Sequence, residues 1–189
     1  SADAGGYRGG VRTRVTAAAL SGLLVLGLAG CTTPGPAEPT PTPAFSSDEE
    51  AFAAAEETYR AYVDALNQVD LSDPETFEAV FDLTTGQANS DFRKSFSAMH
   101  ADGMTVSGDT SAPVVEPLGK ESGEPSTIQL AVCLDVSGVE VTDSSGASAV
   151  DPNRVDVQSL LITMSSAPQS EFGWLIAEID GREGEPTCD

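Results

Sequence analysis

The spacing of apolar residues changes at Gly103, and that change fixes the class of fold open to this chain. Before it, apolar residues recur at helical intervals: Phe52, Ala55, Tyr59, Tyr62, Val63, Leu66 and Val69, then Phe77, Val80 and Phe81, then Ala88, Phe92, Phe96 and Met99. After it the period is two. Ile128, Leu130, Val132, Leu134 and Val136 alternate on one face of a long strand. Met104–Val106 and Val114–Val115 are short strand candidates, and 155–164 and 172–179 are longer ones. Ser137-Gly138 reads as a bulge, with Val139-Glu140-Val141 continuing the long strand. Helices followed by a run of antiparallel strands predict an α+β fold: three N-terminal helices packed on a curved antiparallel sheet.

Turn and cap residues punctuate this pattern. Ser47-Asp48-Glu49-Glu50 fits a capping box, with Ser47 as N-cap and Glu50 reaching back. Ser72-Asp73-Pro74-Glu75 opens a short second helix with proline in its first turn. Asp102-Gly103 ends the third helix.

Ahead of the helices lies material that builds no core. Residues 15–30, VTAAALSGLLVLGLAG, form an uncharged run of small and apolar residues preceded by Arg8, Arg12 and Arg14. A basic segment followed by a short apolar one is an export signal, too short to span a bilayer comfortably. The run ends Leu28-Ala29-Gly30-Cys31, which resembles the bacterial lipobox at every position. That resemblance implies cleavage before Cys31 and a diacylglyceryl group on its thiol, a sufficient membrane anchor without a spanning helix. Residues 32–46, TTPGPAEPTPTPAFS, are rich in Pro and Thr and favour extended polyproline II. At about 3.1 Å per residue they reach roughly 45 Å. Three segments result: 1–30 a signal, 31–46 a lipidated cysteine and tether, and 47–189 one folded domain outside the cytoplasm.

Charge narrows the partners. Asp and Glu number 30 against 9 Lys and Arg, for a formal net charge of −21. So acidic a surface repels nucleic acid and disfavours peripheral binding to anionic lipid. Of three cysteines, Cys31 is assigned to the lipid. Cys133 and Cys188 remain, and outside the membrane two such cysteines ordinarily pair. A redox pair or a metal site fits less well, because there is no C-x-x-C and no histidine near either. No cofactor and no metal are expected; the acidic loop 143–151 is a weak calcium candidate.

Tyr62-Val63-Asp64-Ala65-Leu66-Asn67, then Asp70-Leu71, then a helix ending Val80-Phe81, resembles the opening of the NTF2-like superfamily, which includes SnoaL-type cyclases and ketosteroid isomerases. Gly173 to Glu178 looks like that family's closing strand, so the resemblance spans about residues 47–183. It implies a cystatin-like cone with an apolar pocket between helices and sheet. Tyr59, Tyr62, Phe77, Phe81, Phe96, His100 and Trp174 would line that pocket. The expected function is a non-catalytic lipoprotein of actinobacterial type that binds a small apolar ligand or an envelope protein, and the resemblance implies a homodimer as a further option. The alternative is an isomerase or cyclase with Tyr62 as oxyanion donor, joined by His100 or by a pocket acid for which Asp135 is a loose candidate. His100 and Asp102 are also close enough in sequence to pair.

Overall fold

The structure is a computed structural model that describes residues 45–188, which lie within one compact unit, Pro41–Asp189. The export signal, Cys31 and nearly all of the expected tether fall outside the described residues.

Helix α1 (Asp48–Leu66) is followed by a short 3-10 turn (Pro74–Phe77) running directly into α2 (Glu78–Asp82), then by α3 (Gly86–Ala101). Strands β1 (Thr105–Ser107), β2 (Ser111–Glu121), β3 (Thr127–Asp135), β4 (Glu140–Thr142), β5 (Val157–Ser166) and β6 (Trp174–Gly181) complete the chain. The expected α+β architecture is present, with helices packed against an antiparallel sheet. Among the described residues no helix is long and apolar enough to cross a membrane.

Local chemistry sets the helix ends. Ser47 Oγ accepts from the Glu50 N–H at 3.1 Å and so caps α1. The reciprocal half of the box is shifted by one residue, since the Glu50 carboxylate accepts from the N–H and hydroxyl of Ser46, at 2.8 and 2.5 Å, not from Ser47. Asp73 caps the 3-10 turn through the Glu75 N–H at 3.1 Å. Gly103, at φ 66°, supplies the left-handed residue that ends α3.

The main sheet has the order β2-β3-β5-β6, and every neighbouring pair is antiparallel. Register puts Ile128 opposite Met164 and Leu130 opposite Ile162, with Ile162 opposite Ile179. These residues form the inner face, and Ile128, Leu130, Val132, Ile162, Met164 and Ile176 are fully buried in the core cluster. At β2, an edge strand, Pro113 and Pro117 lack an N–H, and the register slips between Ser111 and Val114 and again between Pro117 and Gly119, where Leu118 is left exposed. Along β6, residues 83–85 lie beside the strand: Thr85 N–H donates to Ile176 O at 2.8 Å and Ile176 N–H to Leu83 O at 3.0 Å. Helix α1 is tied to β2 at both ends. Asn67 exchanges two hydrogen bonds with the backbone of Thr110, at 2.9 and 2.8 Å. Lys120 pairs with Asp48 at 2.6 Å, an exposed ion pair of little energetic weight.

One strand reading is corrected. Ser137-Gly138 is not a bulge in a continuing strand. The chain leaves the main sheet after Asp135, and β4 pairs with β1 in a separate two-stranded sheet. The Arg154 guanidinium fixes this departure by donating to Val136 O and Val139 O, both at 2.9 Å.

The opposite face of β3 carries Ala131 and Cys133, buried but outside the core cluster. Cys133 forms a disulfide with Cys188, with the Cα atoms 5.4 Å apart. The tail that delivers Cys188 is organised by Arg182. Its backbone N–H donates to Ser159 O at 2.9 Å, and its guanidinium donates to the carbonyls of Gly184, Glu185 and Pro186, at 2.8, 2.8 and 2.5 Å.

Candidate functional site

The space between helices and sheet is filled by rings. Tyr59 packs on Tyr62 with centroids 5.5 Å apart, Tyr62 on Phe92 at 5.6 Å and Phe92 on Phe96 at 5.5 Å. Phe96 packs in turn on Phe77 at 5.1 Å and on Phe81 at 6.0 Å. Each tilted pair adds a modest increment to the area it buries. The result is a solid seam where a single pocket was expected.

The seven expected pocket residues are therefore divided. Tyr59 is fully buried and its hydroxyl finds no hydrogen-bond partner among the described residues. Phe96 is buried at the centre of the seam. Trp174, 1% exposed, stacks nearly parallel on Phe45 at 5.6 Å and borders a separate depression of about 480 Å³ with Leu83 and Phe172. Phe77, Phe81 and His100 border a cleft of about 400 Å³ on the far side of α3. Tyr62 alone of the seven lines a cavity of about 230 Å³ where α1 and α3 meet the sheet.

That cavity is the candidate site. Its throat is apolar, made by Tyr62, Phe92, Leu134, Leu160 and Ile179, and Gln87, Asp91 and Gln158 join the lining. It forms because the inner face of the sheet outruns its helical cover: Leu160 sits opposite Val132, which is sealed, yet is itself only half-buried. The Tyr62 hydroxyl makes no hydrogen bond with the described residues. Burial pushes the phenol well above its ordinary pKa, and neighbouring Tyr59 adds to the shift. Tyr62 is therefore a neutral donor at any physiological pH. Leu134, Leu160 and Ile179 were not among the expected pocket residues, although strand alternation places Leu134 on the core face and register brings Leu160 and Ile179 beside it.

The acid–base partners of an oxyanion donor are not assembled here. Asp135 does not enter the cavity. Its carboxylate accepts from the Ser137 N–H at 2.9 Å in a surface turn, and hydrogen bonding to Ser137 holds its pKa below the usual value. His100 does not pair with Asp102; its Nδ1 contacts Leu71 O at 2.7 Å, so that nitrogen carries the proton and donates. In loop 143–151, Asp143 is taken up by the backbone N–H groups of Ser145 and Ala147 and by the Ser145 hydroxyl. These bonds lower its pKa, and its oxygens serve the turn. No group of three or more His, Cys, Asp or Glu side chains able to hold a metal occurs among the described residues.

No protein-family model matches the chain, and no curated protein does. Solved structures that resemble it include a periplasmic fragment of TraM (10% identity, 74% of this chain and 100% of that one, TM-score 0.45). The intermembrane-space region of the chloroplast protein ARC6 is another (13%, 70% and 96%, TM-score 0.49). A third is the periplasmic domain of DotI (14%, 74% and 98%, TM-score 0.43). The likeness concerns fold alone. The expected NTF2-like membership is accordingly withdrawn: no family model supports it, and the structures that resemble the chain are the domains just named, not SnoaL-type cyclases or ketosteroid isomerases. The packing agrees, since the cone interior such an enzyme needs is occupied by the aromatic seam.

Proposed function

We propose that this protein is an extracytoplasmic lipoprotein, anchored through a diacylglyceryl group on Cys31, whose domain is a non-catalytic module for binding an envelope protein. The observation that carries the reading is the 230 Å³ cavity beside Tyr62. It lies below the roughly 300–1,000 Å³ of a typical small-molecule pocket. An apolar throat with one neutral hydroxyl and one acid beside it suits a single large side chain of a partner, flanked by a base. The Cys133–Cys188 disulfide supports an oxidising compartment. Polarity supports the arrangement. The chain arrives at Phe45, stacked on Trp174 at the start of β6, whereas the cavity is lined by Ile179 five residues along the same strand. At about 3.3 Å per residue the two are some 17 Å apart. A domain held at the Trp174 end presents the cavity away from its point of attachment.

Two experiments test this. Cys31→Ala should move the protein from the membrane to the soluble extracytoplasmic fraction on cell fractionation; continued membrane retention would sink the anchor. Native mass spectrometry of gently extracted protein should find a protein partner that is lost with Leu160→Arg, which fills the throat with a charge. A small bound mass in place of a protein would reassign the module to ligand binding. A doubled mass unaffected by Leu160→Arg would assign association to another face.

A further inference from the structure

The cleft on the far side of α3 combines a guanidinium with an aromatic floor, a pairing found at no other place among the described residues. Its floor and one wall come from Pro74, Phe77, Glu78 and Phe81, and the other wall from Arg93, Ser97 and His100 on α3. Positions 93, 97 and 100 are spaced i, i+4, i+7 and so share one helix face. The Arg93 guanidinium lies 4.0 Å over the Phe81 ring, and its Nε donates to Asn89 Oδ1 at 2.8 Å. Those contacts fix the plane of the group and leave both terminal nitrogens without a hydrogen-bond acceptor among the described residues. His100 is held likewise, with Nδ1 committed to Leu71 O at 2.7 Å and Nε2 without a hydrogen-bond partner among the described residues. The Ser97 hydroxyl makes no hydrogen bond with the described residues either.

Most other cations of the domain are committed elsewhere. Lys120 pairs with Asp48, Arg154 closes the turn after β3 and Arg182 gathers the tail. An oriented guanidinium above an aromatic floor is thus exceptional in a chain of net charge −21. At physiological salt, acids more than about 8 Å away are largely screened, so the groups lining the cleft decide what binds.

We propose that the cleft between residues 74–81 and α3 is a binding site for a small monocarboxylate carrying an apolar group. The carboxylate meets the two terminal nitrogens of Arg93 in the end-on, two-point geometry that guanidinium favours, with Ser97 and His100 within the same wall. The apolar group lies on Phe77 and Pro74. Glu78, on the facing wall, opposes a second negative charge and so selects a carboxylate over a phosphate. The volume of about 400 Å³ is in the range of small-molecule sites. This site depends neither on the anchor nor on the cavity beside Tyr62.

The test titrates the full chain, in a non-ionic detergent, with 4-phenylbutyrate, 4-phenylbutylamine and inorganic phosphate, and follows binding by NMR. The carboxylate should bind, with the amine and phosphate at least about tenfold weaker. Arg93→Gln should weaken phenylbutyrate binding by about tenfold or more, whereas Lys94→Gln, one residue outside the lining, should change it less than about twofold. His100→Asn, which keeps a donor for Leu71 O and removes Nε2, should weaken it severalfold and leave the fold intact. Equal binding of amine and carboxylate would overturn the proposal, as would equal effects of the Arg93 and Lys94 substitutions. Tighter binding of phosphate would overturn the assignment to carboxylates, and no binding up to the solubility limit of the probe would remove the site.

Discussion

Replacing Cys133 and Cys188 together by alanine should destabilise the domain by about 4 kcal/mol, the entropy returned to the unfolded chain when a long loop is opened. The loop is long because the bridge joins residues 55 apart, one in the middle of the sheet and one in the tail. The alanines also remove the sulfur buried on the opposite face of β3, where Cys133 is 2% exposed. Arg182 still holds residues 184–186, so the tail should loosen from Cys188 inward. Urea titration followed by far-ultraviolet circular dichroism measures the loss. Thiol labelling of denatured, unreduced parent protein should find neither cysteine reactive. A variant as stable as its parent would show that the bridge constrains nothing.

Trp174→Ala should cost about 3–5 kcal/mol, the range for removing a buried large aromatic. Trp174 is 1% exposed and begins β6, with Phe45 stacked on its outer surface. The close fit extends to Gly173. That residue has φ +79°, and a Cβ there would meet the Phe45 ring at 2.7 Å. Alanine at 174 therefore empties the site under Phe45 and removes the surface that seats it. The same urea titration reads the effect, and a cost under about 1 kcal/mol would mean that the indole is dispensable to the core. The indole Nε1 is buried without a partner among the described residues, so part of the lost packing is offset by removing an unsatisfied donor.

The helices and most strands were legible because each writes its own period into contiguous residues. Ile128, Leu130 and Val132 announced the buried face of β3, and by parity placed Cys133 on the other. What failed to read were features set by distant residues. Ser137-Gly138 has the composition of a bulge or a turn, and the choice is made by Arg154, whose guanidinium arrives from 15 and 18 residues away. The aromatic residues of α1, α2 and α3 were legible as inward-facing. Whether they line a void or fill it depends on how Tyr62, Phe92, Phe96 and Phe77 interleave across three elements, which no single period encodes. Arg93 went unread because its significance lies in Phe81 beneath it and His100 two turns on. The NTF2-like resemblance failed for a related reason: the order of elements is shared by many small α+β domains, and the interior distinguishes them.

The edges of the main sheet carry a last consequence. In β2, Pro113 and Pro117 interrupt the row of donors an added strand would need, and beside Ile176 of β6 the backbone groups are already taken by Leu83 and Thr85. Partnership by strand addition, which depends on main-chain groups and tolerates most substitutions, is thereby discouraged. Association of the kind proposed would then be read through side chains. Its strength should respond to single substitutions and to ionic strength, and its specificity is open to change one residue at a time without disturbing the fold that displays it.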